Sequence, residues 1–298
     1  MATLKALKIR IGSVSSSEKI TGAMKMISSA KVHKFELELK RLTPYQNQIK
    51  SVMTHILATD TDFNSPLIVS RDVKSIAIVV YGTDDGLCGA YNINLFKFFL
   101  SKLDELRLKY GENVDITLFP VGRKLHKPCC KLASAHLKVE IGKDINSKME
   151  GETVNDFTHT LRGDFLSGRF DLVEVVYMHY HSMSRQRAVM KQIFPVTEEA
   201  IQGKQTEKKE LSDNKLYIFE PDANMIFNEV LPMFVLSTMQ EVTIENRASE
   251  QAARVMAMQS ANDNAKKLLD QLQLEYNKLR QQSITTELLD IIGGQVKR

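Results

Sequence analysis

An apolar pattern over the last quarter of the chain is typical of one long helix. From about Asp222 to Gly294, small and apolar residues recur mostly in steps of three and four, the spacing of a single helix face. They are Ala248, Ala252, Val255, Ala261, Ala265, Leu268, Leu272, Tyr276 and Leu279. Charged residues in every turn exclude a membrane span. A helix on the order of 90 to 100 Å long exceeds the width of a domain of this size, so its small-residue face requires a closely packed partner helix.

Residues 3–58 are predicted to form that partner helix. Leu4, Leu7, Ile11 and Val14 again follow helical spacing. The serines around 13–17 are predicted to weaken the helix locally. Pro44 costs about 3 kcal/mol in a helix interior and is expected to kink or interrupt the helix. We therefore predict an antiparallel two-helix coiled-coil stalk, formed by residues 1–60 and 220–298.

The middle segment, residues 70–219, is predicted to fold as a Rossmann-like α/β head domain. Its β-branched apolar runs alternate with amphipathic segments, a pattern that favours a mostly parallel sheet. Strands are predicted at 74–81, 114–121, 137–141, 172–180 and 188–195, and helices at 92–108, 123–133 and 153–166. The polar segment 202–214 is predicted to be a surface loop or partly disordered. The fold class is thus α/β, a head between the two halves of a stalk.

The residues that could carry catalysis do not form a recognisable set. Gly82, Gly86 and Gly89 follow the first strand, but their spacing is not that of a dinucleotide-binding loop, and a tight turn is the better interpretation. His179 and His181 share one face of a strand without a further ligand pattern. The odd number of cysteines gives no disulfide framework. We expect no catalytic residue, no cofactor, no metal site and no ATPase activity in the isolated chain.

The charge is concentrated at the amino terminus. Residues 1–50 hold eight Lys and two Arg against three Glu, a balance of +7 in a chain whose net charge is +4. Such a segment could bind nucleic acid, an anionic membrane surface or an acidic protein. Nucleic acid is the less favoured of these, because the segment is rich in Lys and carries only Phe35 and Tyr45 as aromatic residues.

Five segments resemble the gamma subunits of bacterial-type F1Fo ATP synthases. They are SSSEKITGAMKMISSAK (15–31), GLCGAYNINLFK (86–97), YIFEPD (217–222), ASEQAARVMAMQSANDNA (248–265) and LEYNKLRQQSITTELLDIIGG (274–294). They lie at both ends and in the head, so the resemblance covers the whole chain. It implies a central rotor shaft that couples ion flow through the membrane sector to conformational change at catalytic beta subunits, and so to ATP synthesis or hydrolysis.

The resemblance also implies roles for particular residues. The family's contacts with beta-subunit loops match Arg280, Gln281, Thr285 and Glu287, and its contact with an acidic beta-subunit loop matches Met24. Arg254 matches a network of the upper stalk. Tyr217 and Glu220 match contacts with the epsilon subunit and the c-ring.

The implied partners are the alpha and beta subunits of an alpha3beta3 ring, the epsilon subunit and the c-ring, without nucleic acid. The chain would be a non-catalytic, peripheral subunit on the cytoplasmic face of a bacterial inner membrane, associated with the membrane only through the complex. The alternative function is a non-rotary coiled-coil scaffold that binds acidic partners or nucleic acid. Recovery of the chain with an alpha/beta ATPase ring would distinguish the two functions.

Overall fold

The computed structural model describes residues 3–57, 63–142, 144–202 and 219–295. Two long helices, one at each end of the chain, enclose shorter elements in the sequence. In chain order the elements are α1 (Leu4–Leu57), β1 (Ser75–Tyr81), α2 (Tyr91–Tyr110), β2 (Asp115–Val121), α3 (Arg123–Cys130), β3 (Leu137–Val139), α4 (Gly151–Leu166), β4 (Leu172–Ser182), β5 (Arg185–Phe194), α5 (Glu198–Gln202) and α6 (Ala223–Gln295). The predicted α/β fold class is confirmed. Within the described ranges, none of the helices is both long and apolar enough to cross a bilayer.

The chain divides into two compact units, which we call the tip unit and the head unit. The tip unit comprises residues 1–30 and 254–298, and the head unit comprises residues 31–253. Both long helices therefore contribute to both units. The predicted stalk and head segments, 1–60 with 220–298 and 70–219, stay a prediction about which parts of the chain fold as domains.

Among the described residues of the head unit, five strands form one sheet in the order β3-β2-β1-β4-β5. Strand β1 lies in the centre and pairs in parallel with β2 and β4. Strand β5 pairs antiparallel with β4 through a short hairpin. The chain thus moves outward from β1 to β3 and then returns to the other side of β1, and this reversal creates a topological switch point beside β1.

Both faces of this sheet are covered, which explains the unbroken apolar run of β1. Ile76, Ile78 and Val80 face a core with α2 and α3, whereas Ala77, Val79 and Tyr81 face a core with α4 and the long helices. The buried residues of α2 are Tyr91, Leu95, Phe99, Leu103 and Leu106, a spacing of three and four. The helical periodicity in the sequence therefore identifies the buried face of α2 correctly.

Within the head unit, α1 and α6 pair antiparallel. The guanidinium carbon of Arg247 lies 4.7 Å from the centre of the Phe35 ring. Further along α1, Gln46 donates from Nε2 to the Ser237 carbonyl oxygen at 3.0 Å. The partner number falls as the α1 number rises, so the two helices run in opposite directions here, as predicted. Ala248 and Ala252 of the small-residue face are fully buried.

Within the tip unit, the two helices meet at a polar contact. Asn262 donates from Nδ2 to the Glu18 carbonyl oxygen at 2.7 Å, and the same amide lies 3.3 Å from Thr21 Oγ1. Gly22 lies beside this contact, because a Cβ atom there would be 3.3 Å from Asn262 Nδ2. The close approach predicted for the small residues is therefore made at a glycine and a buried amide.

Three local features differ from or add to the predictions. Helix α1 is not interrupted at Pro44, because buried residues on its following turns, Gln46, Ile49 and Met53, hold the helix on the core. The serines around 13–17, which are predicted to weaken the helix locally, lie within the continuous helix α1. Ser16 and Ser17 satisfy their hydroxyl groups on carbonyl oxygens four residues earlier, each at 3.0 Å. The short helix α5 is an addition to the predicted elements, and of the predicted loop 202–214 only Gln202 lies within the described residues.

Candidate functional site

The carboxyl-terminal part of α6 presents a long exposed surface. From 273 to 292, none of the described side chains is buried. Six large apolar residues on this surface have exposed fractions of 48% to 71%: Leu274, Ile284, Leu288, Leu289, Ile291 and Ile292. A monomeric protein rarely exposes a contiguous apolar patch of this kind unless another molecule covers it. We call residues 273–292 the tip surface.

Four of the predicted site residues lie together on the tip surface. Arg280, Gln281, Thr285 and Glu287 are all exposed and lie within about two turns of α6. Thr285 donates from Oγ1 to the Gln281 carbonyl oxygen at 2.9 Å, so its hydroxyl group is held against the helix. Arg280 and Glu287 are seven residues apart and therefore share a face, as do Gln281 and Thr285 at a spacing of four. The site offers donors and acceptors beside apolar side chains.

The other predicted site residues do not join this group. Met24 is half-buried on α1 in the tip unit, and Arg254 is buried, with only 6% of its surface exposed. Glu220 is exposed in the head unit, shortly before α6 begins. Tyr217 lies outside the described residues. The roles that the resemblance gives to all these residues remain predictions.

The turn after β1 is built around a buried carboxylate. Asp84 accepts hydrogen bonds from the Arg123 backbone N–H at 2.9 Å, and from the Ser147 N–H and hydroxyl at 3.0 and 2.9 Å. Gly122, which follows β2, packs against this turn with φ of 96°, and a Cβ atom there would lie 2.9 Å from the backbone of Thr83. Asp84 thus occupies the amino terminus of α3 with its own negative charge. The glycine-rich segment is a structural turn, as the sequence predicts.

Helix α6 fills the crevice at the switch point of the sheet. Asn246, 1% exposed, accepts at Oδ1 from the Tyr91 hydroxyl at 2.7 Å and from the Met178 N–H at 3.4 Å. Its Nδ2 donates to the Gly82 carbonyl oxygen at 3.2 Å. In open α/β sheets, ligands bind in this crevice, outside the carboxyl ends of the strands. Here a side chain of the same chain makes the contacts that a ligand would make.

A row of ionisable side chains joins β4 and β5 to the long helices of the head unit. His179 Nδ1 lies 2.8 Å from Glu245 Oε2, and this hydrogen bond raises the pKa of His179. Tyr180 donates to Glu36 Oε1 at 2.6 Å, and burial together with that carboxylate raises the pKa of Tyr180. Among the described residues, no group of three or more metal-ligating side chains occurs. The His179 ring is therefore paired with the Glu245 carboxylate.

The three cysteines differ in their exposure. Cys88 and Cys129 are buried, and Cys130 is exposed at the end of α3. Burial raises the pKa of Cys129 to about 12, so its thiol is protonated at neutral pH and is a poor nucleophile.

Comparison with known proteins identifies the family. The family model described as ATP synthase matches residues 3–296. The ATP synthase gamma chain of Bacteroides thetaiotaomicron is 35% identical over 302 residues, covering 100% of both chains. The gamma chain of Phocaeicola vulgatus is 39% identical, covering 99% of this chain and 100% of that protein. This chain belongs to the ATP synthase gamma-chain family.

A solved structure has the same architecture. A chain in the structure of Euglena gracilis mitochondrial ATP synthase (OSCP/F1/c-ring, rotational state 3) superposes with a TM-score of 0.63. It is 21% identical, and the match covers 98% of this chain and 93% of that one. The gamma-chain family and its rotor-shaft function, both predicted from the sequence, are confirmed, and the alternative of a non-rotary scaffold is set aside.

The sequence did not reveal the polar residues that fix the helices in place. Asp84, Asn246 and Asn262 are all buried, yet as single polar letters they are typical of a turn or a solvated helix face. An indirect signal exists for Asn262 alone, which follows Ala261 of the small-residue face.

Proposed function

We propose that the tip surface is the part of the chain that contacts the catalytic beta subunits of an alpha3beta3 ring. The observation that carries this proposal is the exposure of six large apolar residues beside Arg280, Gln281, Thr285 and Glu287. Apolar area supplies affinity, and directed polar groups distinguish one partner conformation from another. A shaft whose faces differ in this way would hold three beta subunits in different states.

The chain itself is non-catalytic in this proposal. Asn246 occupies the crevice where an α/β sheet would bind a nucleotide, and Asp84 places a carboxylate where a phosphate would otherwise meet the amino terminus of α3. Nucleotide chemistry therefore belongs to the partner subunits. We expect the purified chain to hydrolyse no ATP.

The contacts with the membrane sector are assigned by the resemblance. Glu220 is exposed close to the start of α6, and with Tyr217 it is proposed to contact epsilon and the c-ring. The related Euglena chain was solved in an assembly with OSCP, F1 and a c-ring. Met24 is proposed to meet an acidic beta-subunit loop, with exposed Lys19 nearby in sequence, and Arg254 to belong to a network of the upper stalk. The chain would lie peripherally on the cytoplasmic face of a bacterial inner membrane.

The native cysteines permit a direct test of rotation. Cys130 is exposed, whereas Cys88 and Cys129 are buried, so a maleimide-linked bead should attach to the head at Cys130. The chain is assembled with the alpha and beta subunits of the same source, and the ring is fixed to a surface. We expect the bead to rotate in one direction when ATP is added. A Cys130→Ser complex should bind no bead, which verifies the attachment site.

Two results would contradict the proposal. One is a complex that forms and hydrolyses ATP while a bead on Cys130 stays still. The other is ATP hydrolysis by the purified chain alone at the rate of the complex.

A further inference from the structure

Helix α6 carries an unusual series of buried polar residues where it crosses the sheet of the head unit. Side chains with exposed fractions of 9% or less occur repeatedly between 237 and 251: Ser237, Thr238, Thr243, Glu245, Asn246, Ser249, Glu250 and Gln251. Burying a polar group is unfavourable unless it is hydrogen-bonded, so such a series indicates a specific requirement at this contact. Apolar side chains of the same size would pack the helix at least as tightly.

Two residues of this series, Asn246 and Ser249, form hydrogen bonds at the carboxyl ends of β1 and β4. Asn246 joins three separate elements through Gly82, Tyr91 and Met178, with donor–acceptor distances of 3.2, 2.7 and 3.4 Å. One turn further along α6, Ser249 donates from Oγ to the Met178 carbonyl oxygen at 2.9 Å. We call Gly82, Tyr91, Met178, Asn246 and Ser249 the crevice joint.

The crevice joint adds directional hydrogen bonds to the apolar contacts around it. The hydrophobic effect is non-directional, so apolar packing fixes the separation of a helix and a sheet better than it fixes their relative position along the contact. Hydrogen bonds weaken steeply when their angles change. A helix that transmits a force without sliding over the sheet therefore needs hydrogen bonds in addition to apolar contacts.

We propose that the crevice joint transmits torque between α6 and the sheet of the head, with Asn246 as its principal positioning residue. This inference rests on the proposed function, because it requires that the tip surface receives a turning force that must reach the head. The same carboxyl-end crevice that holds a ligand in other α/β sheets holds here a residue of the shaft helix. In this chain the crevice thus serves to couple α6 mechanically to the sheet and not to bind a ligand.

The test compares rotation under increasing load in the assembled complex. The force that turns a bead on Cys130 must pass from α6 to α3 across the sheet, so it loads the crevice joint. We expect Asn246→Leu to rotate a small bead as fast as the unaltered complex does. With large beads, for which viscous drag demands full torque, its rotation should be slower by at least about twofold. Asn264→Leu, the same change at an exposed position of α6, should match the unaltered complex at every load.

A second attachment site separates torque transmission from a merely structural role. Met233 is 48% exposed on α6 itself, so a bead attached through Met233→Cys in a Cys130→Ser background does not load the joint. At that site Asn246→Leu should rotate like the unaltered chain for all bead sizes. Equal rotation at both sites and all loads would overturn the proposal, and so would an equal loss at both sites.

Two milder variants keep the test decisive if Asn246→Leu fails to assemble. Tyr91→Phe removes only the hydroxyl that bonds Asn246, and Ser249→Ala removes only the bond to Met178. Combined, they should reproduce the load-dependent slowing for beads on Cys130, and normal rotation of the combined variant under load would overturn the inference. If the unaltered complex itself does not rotate, it is the proposed function that fails, and not the joint.

Discussion

Asn262 on α6 and Gly22 on α1 form a close contact within the tip unit. A Cβ atom at Gly22 would lie 3.3 Å from Asn262 Nδ2, while that same amide donates to the Glu18 carbonyl oxygen at 2.7 Å. The amide is thus held between a backbone acceptor and a position where only hydrogen is easily accommodated. A methyl group at Gly22 would therefore require the Asn262 amide to move by a few tenths of an ångström.

Substitutions at the two glycines of α1 should therefore have opposite effects. Gly12 has no atom within 4 Å of an added Cβ, so Gly12→Ala should stabilise the helix by about 0.5 to 1 kcal/mol. Gly22→Leu should destabilise the tip unit by about 1 to 3 kcal/mol, because the side chain must displace Asn262. Native-state amide hydrogen exchange at residues 258–266 measures both effects.

A comparison of the two variants can contradict this prediction. If the amides of residues 258–266 exchanged hydrogen as slowly in the Gly22→Leu variant as in the Gly12→Ala variant, the helices would not be in close contact at Asn262. Close packing of the tip unit around Gly22 would then be wrong.

A second prediction concerns the buried carboxylate of the head. Asp84→Ala removes an acceptor of three hydrogen bonds and leaves the N–H groups of Arg123 and Ser147 without it. We expect a loss of about 2 to 4 kcal/mol in the free energy of unfolding. Neighbouring Asp85 is exposed and pairs with Lys148 at 2.9 Å. Asp85→Ala should therefore change stability by less than about 0.5 kcal/mol.

Chemical denaturation followed by circular dichroism measures both variants. Equal stability of Asp84→Ala and Asp85→Ala would show that the turn does not depend on the Asp84 carboxylate. The burial of an acidic residue in this turn would then have no structural reason.

A third prediction follows from the contact of His179 with Glu245. The hydrogen bond to Glu245 raises the pKa of His179 above its ordinary value near 6.5, with Glu241 acting in the same direction and with Lys191 and burial opposing. Protonated His179 is therefore favoured in the folded state. Its contribution to stability is fully present below about pH 6.5 and is lost as the pH rises through the raised pKa.

The variant His179→Gln should lack this part of the pH dependence. Urea unfolding between about pH 6 and pH 9 should show the stability of the unaltered chain falling more with pH than that of His179→Gln. His181→Gln, at the exposed neighbouring position, should keep the full dependence. If the free energy of unfolding changed with pH in the same way for the unaltered chain and for His179→Gln, the contact with Glu245 would contribute nothing to the pH dependence of stability.

The sequence predicts the elements of this fold well because their signals are local. The apolar residues of β1 and the three-and-four spacing of α6 each reflect one face or one buried core, which neighbouring letters reveal. Pro44 shows the limit of local reasoning. The cost of about 3 kcal/mol for a proline inside a helix is offset because Gln46, Ile49 and Met53 are buried against parts of the chain that are distant in sequence. Helix propensities describe single residues and do not include such packing.

The site is less predictable because its contacts are long-range. Asn246 meets Tyr91 and Gly82 across 155 and 164 residues of sequence, so a single sequence gives no indication that this asparagine is buried. The partners of the exposed residues Arg280 and Gln281 are predicted only through the resemblance, since those partners lie on other chains. Periodicity identifies the helix that carries them but not the surface that they contact.

The last prediction concerns these two residues of the tip surface. Arg280 and Gln281 are adjacent on α6, about 100° apart, and both are exposed, whereas Leu272 is buried in the tip unit. An arginine can bind a carboxylate through two parallel hydrogen bonds, and a hydrogen bond to a charged group contributes about 1.5 to 3 kcal/mol. Contacts of that strength, made in some rotational positions only, would favour one conformation of a beta subunit over another.

Replacing both residues with Ala should leave the chain folded, because neither contributes to the core. The Arg280→Ala/Gln281→Ala variant should nevertheless lower the ATPase rate or the yield of the reconstituted complex, by about tenfold or more if one charged hydrogen bond of about 1.5 kcal/mol is lost. Lys266→Ala, at another exposed position of α6, is the control and should behave like the unaltered chain. Equal rate and yield for the double variant and the control would mean that both side chains are merely solvated, and the proposed contact with the beta subunits would have to be assigned to other residues of the tip surface.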